Sequence, residues 1–436
     1  MSKPLRNRIS LQQIREKLHS PMGRDVLWTF VVQMLVMACG FAITKILSNR
    51  LSIDDFGLFS VIKRSTIVLS FMMLAGTGIA IPRYLTIFHN QQLPFKSIAF
   101  NQASLILVFL TSTLLILFCL LLPHTIGSLI VGKDAFSLLV IALLYAFTFT
   151  TSSFLYAYFR GTGQFGKFNF SQALIQLCCI LPLLLLPVLT VYKVYIAWIL
   201  VIAGIVCVFS AIEIYKNHGV FIRRFCSHTI LQQFKEVISY SSPRMVGDFF
   251  LFSINAFPLV YLSKYYYFQD VAYFSVGLTF VTLGTSFFSI LGYILLPYVS
   301  GALARHEIKQ AERSITQLLF VYIATAILLT ILFLAFTPFM IRLFFAQSYL
   351  VTEDITQIML LAILPQSIYL LYRNPIDAIS KTPYNTINLG LSLTIMVLAF
   401  YQLDSLQHFA YAFLGVCTLK GVLSIVTWEI LKKKKI

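Results

Sequence analysis

The sequence predicts an all-α integral membrane protein with about twelve transmembrane helices, in two six-helix lobes related by a pseudo-two-fold axis along the membrane normal. Three observations carry this expectation. Of 436 residues, 58% are hydrophobic and 11% charged, with a mean hydropathy of +0.84; soluble domains run about 45–50% apolar and about 25% charged. The basic residues segregate into alternate loops. One stretch near the start recurs half a chain later.

The first 25 residues are basic, with Lys3, Arg6, Arg8, Arg15, Lys17 and Arg24. Ser10 and Gln13 have capping-box spacing, and Leu11, Ile14 and Leu18 fall on one helical face. A short amphipathic helix on the inner membrane surface, stopped by Pro21, is expected. The run Val26 to Leu47 is too long for a signal-peptide core and reads as a retained first span.

Further apolar runs follow at Leu58 to Ile81, Ile98 to Leu122, Ala135 to Tyr158, Phe168 to Leu189 and Val194 to Tyr215. A second set comprises Met245 to Leu262, Val271 to Val299, Ile315 to Met340, Ile355 to Leu371, Thr386 to Tyr401 and Phe409 to Leu431. These divide the chain into an N-lobe over 26–215, a linker over 216–243, a C-lobe over 244–431 and a basic tail over 432–436. Prolines inside several runs are tolerated in membrane helices when neighbours re-satisfy the backbone. Met245 to Leu262 and Thr386 to Tyr401 are the shortest and most polar runs.

Charge placement agrees with twelve spans. The termini and the loops on their side hold 23 Lys and Arg residues, against 5 on the other side: Arg50, Lys133, Lys193, Lys264 and Arg342. By the positive-inside rule both termini are cytoplasmic, and the chain is a multi-pass protein of a cytoplasmic membrane. The net charge of +17 is then mostly topology, with attraction to anionic membrane lipid as a by-product. No soluble segment is long enough to present a basic face to nucleic acid. Six of the seven cysteines lie in apolar runs (Cys226 is the exception) and read as small packing residues, not as a disulfide or metal framework.

The repeat sets the architecture. Leu47 to Val61 aligns without gaps to Leu262 to Val276, sharing Leu, Ser, Asp, Phe, Ser and Val, with Gly57 opposite Ala272. A weaker echo relates Arg160–Lys167 to Arg373–Lys381. Both pairs lie six spans apart. An even number gives parallel repeats, as in transporters that rock two bundles about a central site.

Five cations fall inside or at the edges of spans: Lys45, Lys63, Arg64, Arg244 and Lys420. Each costs roughly 2.5–3.5 kcal/mol at a helix centre on insertion scales, so such residues face a cavity or a partner. Lys420, near the middle of the last span, has the least scope to snorkel. Lys63 and Arg64 are ~100° apart on one helix, so at least one is expected to face inward. Lys45 lies within a turn of the outer end, where snorkelling competes with an inward role. Arg83 ends the second span on the inner side, as topology anchor or as a contact for an entering anion. Arg244 and Asp248 are four apart and can pair along one face, as a structural ion pair or a gate; Asp25 is the other carboxylate near a span. Gln33, Asn255, Gln172 and Gln176 are span-embedded amides suited to sugar hydroxyls or to helix–helix hydrogen bonds. HExxH, paired CxxC, a phosphate-binding glycine loop and GxSxG are all absent, and all seven histidines lie in or beside loops. No catalytic residue, metal or cofactor is therefore assigned.

The basic N-terminus, NRLSIDDFGLFS after the first span, a second span ending in small residues and IPRYL, and the RGTGQFGKFN turn after the fourth span together resemble the polysaccharide (O-antigen type) flippases. These belong to the multidrug/oligosaccharidyl-lipid/polysaccharide exporter (MOP) superfamily. In topology the resemblance covers nearly the whole chain; in motif it covers Leu47 to Tyr84 and Arg160 to Asn169. It implies two lobes around a cavity that opens alternately to each side of a bacterial inner membrane. It also implies a polyprenyl-diphosphate-linked oligosaccharide as cargo, with a glycan polymerase or ligase as a pathway partner. A diphosphate cargo needs a cationic cavity, which nominates Lys420, Arg64, Lys63, Arg244, Arg83 and Lys45 as its contacts. Two other readings stay open. A cation-coupled multidrug antiporter of the same superfamily would carry a carboxylate-rich cavity. A membrane-embedded glycan polymerase or transferase would need a large outer loop or a His/Asp pair within a span.

Overall fold

A computed structural model describes residues 21–132, 136–216, 227–304, 308–380 and 382–435. The expected amphipathic helix before Pro21 and Cys226 lie outside the described residues. The helices are α1 (Pro21–Arg50), α2 (Ile53–Leu74), α3 (Thr77–Asn90), α4 (Pro94–Leu121), α5 (Pro123–Ile130), α6 (Phe136–Gly161), α7 (Phe165–Leu185) and α8 (Val191–Lys216). The second half comprises α9 (Ser227–Tyr265), α10 (Phe268–Ala304), α11 (Ile308–Ala335), α12 (Thr337–Phe344), α13 (Glu353–Leu360), α14 (Ile363–Ile379), α15 (Tyr384–Phe400) and α16 (Leu406–Lys435).

Ten of these helices are long and apolar enough to span a membrane; α13 and α14 form an eleventh span bent by 44°, and the 17-residue α15 is a shorter apolar helix. With it, about twelve spans result. The loops carrying the Lys/Arg excess define a basic face, opposite a far face.

The repeat is explicit in the element boundaries. Ser60 and Ser275 are 215 residues apart. The same spacing separates the ends of α1 and α9 at Arg50 and Tyr265, and the starts of α2 and α10 at Ile53 and Phe268. The short far-face helices α5 and α12 also correspond, each with a proline in its first turn (Pro123, Pro338), where the missing N–H breaks no hydrogen bond.

Local chemistry explains where α2 starts and stops. Ser52 caps it, its side chain accepting the Asp55 N–H at 3.1 Å, and Asp54 and Asp55 lie in the positive first turn. The helix breaks at Ala75 and Gly76, whose φ values are +50° and +74°. Hydroxyls from three helices take up carbonyls at the break: Thr77 to Leu74 at 2.6 Å, Thr111 to Met73 at 2.6 Å and Thr150 to Ser70 at 3.2 Å. A break inside a membrane survives because such groups are re-satisfied. Gly76 also passes so close to α9 that a Cβ there would lie 2.5 Å from the Ser241 carbonyl oxygen.

Three boundaries correct the sequence expectation. The second span is two helices, because the small-residue patch read as a span ending holds the left-handed break. The stretch 216–243, expected as an inter-lobe linker, is from Ser227 onward the start of α9. At 39 residues that helix is about 58 Å long, so it projects well beyond a ~30 Å hydrocarbon core; its polar first half hid its helical character. Arg373, assigned to a loop, lies within α14.

The described core runs through both lobes. Phe56, Phe59, Tyr195 and Trp198 pack with Ala272, Val276, Phe345 and Tyr349 in one cluster, and Val61 joins Phe274, Tyr369, Phe413 and Cys417 in a second. The lobe seam is therefore continuous with the core near the far face. All six described cysteines are free.

Candidate functional site

The site is built on α2 and α10, the two helices that the repeat relates. Gly57 allows their close approach: a Cβ there would lie 2.0 Å from the Phe268 carbonyl oxygen. One turn on, the Ser60 and Ser275 hydroxyls meet at 3.2 Å. The next residues along α2 are Lys63 and Arg64. Lys63 is 11 residues past the Ser52 cap, which puts it about 16 Å from the far end and near the middle of a ~30 Å core.

Both cations line a cavity of about 30 Å³ with Ser60, Ser275, Phe59 and Thr279, room for about one water molecule. Arg64 Nη2 donates to Thr282 Oγ1 at 3.4 Å, and Lys63 Nζ lies 5.7 Å from the Phe59 ring centroid. Among the described residues, neither has a carboxylate within ion-pair distance. Two positive charges with no ion pair among the described residues thus stand in mid-membrane, ringed by hydroxyls.

The remaining candidate residues divide into three groups. Lys420 has no exposed surface. Its Nζ donates to Gln366 Oε1 at 2.5 Å and lies 4.5 Å from the Tyr369 ring centroid, so it is held inside the C-lobe and not at the seam. The expected Arg244–Asp248 pair does not form. Asp248 binds Arg373 of α14 at 3.3 Å, while Arg244 turns back over Tyr240, with Cζ 3.7 Å from that ring centroid. The four-residue spacing permits the pair, but the tyrosine and the facing arginine offer each side chain a nearer partner.

Lys45 does not reach the Lys63–Arg64 cavity but lines a larger, apolar one between the lobes. Its Nζ donates to the carbonyls of Arg342, at 2.6 Å, and of Phe345, capping the C-terminal end of α12 from the other lobe. Beside it, Ser48 Oγ accepts the Ala346 N–H at 3.1 Å. An apolar cavity of about 490 Å³ opens next to this clasp, between Met34, Met37 and Phe41 of α1, Leu283 of α10 and Phe344 of α12.

Arg83 is exposed midway along α3 and donates to the Tyr240 hydroxyl at 2.9 Å. Gln33 and Gln172 hydrogen-bond each other at 2.6 Å, the helix–helix use of such amides. Asn255 donates to the Leu251 carbonyl within its own helix at 3.4 Å, and Gln176 is half-buried. The side chain of Asp25 lies outside the described ones.

Sequence reasoning missed Tyr240, Gln366, Arg373, Thr282 and the serine pair. Tyr240 stands four residues before Arg244, a spacing that signals contact in a helix. The serines were aligned by the repeat, but only the fold makes them touch.

The sequence matches the family model described as polysaccharide biosynthesis protein over residues 22–303. The chain belongs to that family. No curated protein matches it by sequence. Among solved structures it is similar to an inward-facing multidrug resistance MATE family transporter of the MOP superfamily, with TM-score 0.71, 13% identity, and coverage of 94% of this chain and 100% of the other. An outward-facing MATE transporter of the superfamily gives TM-score 0.67 at 15% identity, covering 94% and 95%. A MOP superfamily transporter from Pyrococcus furiosus, described as having a binding pocket of reverse polarity that suggests a different function, gives TM-score 0.65 at 14% identity, covering 94% and 93%. At these identities the likeness establishes the two-lobed fold. The sequence match gives the family, and the structural likeness gives the fold.

Proposed function

We propose that this polysaccharide biosynthesis family member is a flippase. It carries a polyprenyl-diphosphate-linked oligosaccharide from the cytoplasmic to the outer leaflet of a bacterial inner membrane, with both termini in the cytoplasm. The observation that carries the reading is the Lys63–Arg64 pair, uncompensated at the lobe seam in mid-membrane. A diphosphate crossing the bilayer must exchange its water for fixed cationic donors, and this is where the chain offers them. The apolar cavity between α1, α10 and α12 supports the reading, because a polyprenyl tail stays in lipid while its headgroup passes between the lobes. A glycan polymerase or ligase would take the delivered cargo.

The MATE-like fold favours a second reading, a multidrug antiporter. That activity calls for a carboxylate free to meet a cation or proton, whereas Asp248 is already matched with Arg373.

The test is transport in proteoliposomes loaded with a fluorescent polyprenyl-diphosphate oligosaccharide, read by a membrane-impermeant quencher. Wild type should expose the lipid, and Lys63→Gln with Arg64→Gln should reduce the rate at least tenfold while inserting normally. Efflux of a cationic dye without lipid movement would establish the antiporter instead.

A further inference from the structure

We propose that Arg83, Tyr240 and Arg244 form a second anion site, at the basic-face end of the lobe seam, which takes the diphosphate of the cargo before it reaches Lys63 and Arg64. The inference rests on the flippase reading and adds to it an entry station.

The three residues come from both lobes: Arg83 from α3 of the first, Tyr240 and Arg244 from α9 of the second. Arg83 Cζ lies 4.9 Å from the Tyr240 ring centroid and Arg244 Cζ 3.7 Å from it. Arg83 Nη1 also donates to the Tyr240 hydroxyl, and Arg244 Nη1 to the Tyr240 carbonyl, each at 2.9 Å. One ring thus gathers two guanidiniums that would otherwise repel. Tyr84 packs edge-on against the same ring at 5.2 Å between centroids and completes an aromatic floor.

Three other cations near the basic face are paired with carboxylates: Lys167 with Glu213, Arg373 with Asp248, and Lys432 with Glu312 and Glu429. Arg83 and Arg244 have no such ion pair among the described residues; Asp248 and Asp377 reach Arg244 electrostatically, and Glu236, one turn before Tyr240, reaches Tyr84. Each guanidinium therefore keeps unused N–H donors in the fork geometry that suits a phosphate. Arg83 is exposed and Arg244 half-buried, so an anion can reach both.

Depth fits the role. From Arg244 to the far end of α9 at Tyr265 is 21 residues, about 32 Å of helix, so Arg244 sits at the boundary of a ~30 Å hydrocarbon core, the level of lipid phosphates. Lys63 and Arg64 lie further along the same seam. The two cation pairs make an entry station and a mid-membrane station for one diphosphate.

The test uses the full chain in nanodiscs of phosphatidylcholine, titrated with inorganic pyrophosphate and, separately, with undecaprenyl diphosphate. Wild type, Arg83→Gln/Arg244→Gln and Lys63→Gln/Arg64→Gln are compared for affinity and melting temperature. The Arg83→Gln/Arg244→Gln protein should bind pyrophosphate at least about tenfold more weakly, as loss of charge-assisted hydrogen bonds requires, with its melting temperature retained. Weakening toward both probes supports a site for the headgroup alone. Wild-type binding of undecaprenyl diphosphate only, weakened in the same variant, supports a site that reads the headgroup of a lipid. Should the double variant fail to fold, Arg83→Gln and Arg244→Gln decide singly, each about threefold weaker if the site exists; unchanged affinity in both would overturn it. Wild-type affinity in Arg83→Gln/Arg244→Gln, with loss confined to Lys63→Gln/Arg64→Gln, would overturn the entry station and leave the flippase reading intact. Absence of binding by wild type to either probe would overturn both.

Discussion

Ser60 and Ser275 occupy the same place in the two halves of the chain and hydrogen-bond each other at 3.2 Å. Only residues lying close to the pseudo-two-fold axis can meet their own counterparts. The contact therefore fixes the axis in the α2–α10 seam, just beyond the close approach at Gly57 and one turn before Lys63 and Arg64.

Cysteines at Ser60 and Ser275 should form a disulfide across the seam. In a background lacking the native cysteines, oxidation of Ser60→Cys/Ser275→Cys should yield one crosslinked species and stop lipid movement, and reductant should restore it. Cβ atoms ~3.8 Å apart are needed for the bond. Failure to crosslink would mean that the two helices do not meet at these residues.

Gly57→Leu should push the lobes apart. The added side chain has no room beside the Phe268 carbonyl, and overpacking of this kind costs about 1–3 kcal/mol. A lower melting temperature in detergent should accompany a faster reaction of seam cysteines with impermeant thiol reagents.

Arg373→Gln should destabilise the C-lobe by about 3–5 kcal/mol by stranding the Asp248 carboxylate in a buried site. Adding Asp248→Asn should recover much of the loss. A double-mutant cycle should give a coupling above about 1 kcal/mol for Asp248 with Arg373 and a smaller one for Asp248 with Arg244. The reverse would restore the pairing that sequence spacing suggests.

Lys420→Met should lower stability more than Gln366→Met/Lys420→Met. The single change leaves the Gln366 amide buried without its donor, at about 1–3 kcal/mol, whereas the double change removes both polar ends. If Lys420 instead touched cargo, transport would fall in both variants at unchanged melting temperature.

Lys45→Met should loosen the far face. It removes the ammonium that caps α12 from the other lobe, a charged hydrogen bond worth about 1.5–3 kcal/mol. Labelling of Ser275→Cys from the far side should speed up severalfold.

Most of the fold was legible in the sequence. The hydrophobic runs set the spans, the alternation of Arg and Lys set their number, and Leu47–Val61 against Leu262–Val276 set the symmetry, because each signal is local or pairwise along the chain. The seam cations were legible too: Lys63 and Arg64 stand out in any apolar helix. Partner choice was not. Asp248 meets Arg373 from a helix 125 residues away, and Lys420 meets Gln366 at a separation of 54; no spacing rule reaches that far. The break at Ala75–Gly76 was hidden because small residues also pack well in unbroken membrane helices.

The two halves correspond at the axis, yet their broken spans do not. The first lobe breaks at Ala75–Gly76, about 34 Å from the far end of α2, while the second bends at Leu361–Ala362, only about 13 Å from the start of α13. One break lies toward the basic face and the other toward the far face. The symmetry that relates the helices at the axis therefore stops short of their interruptions, and the two lobes are weakest at opposite levels of the membrane.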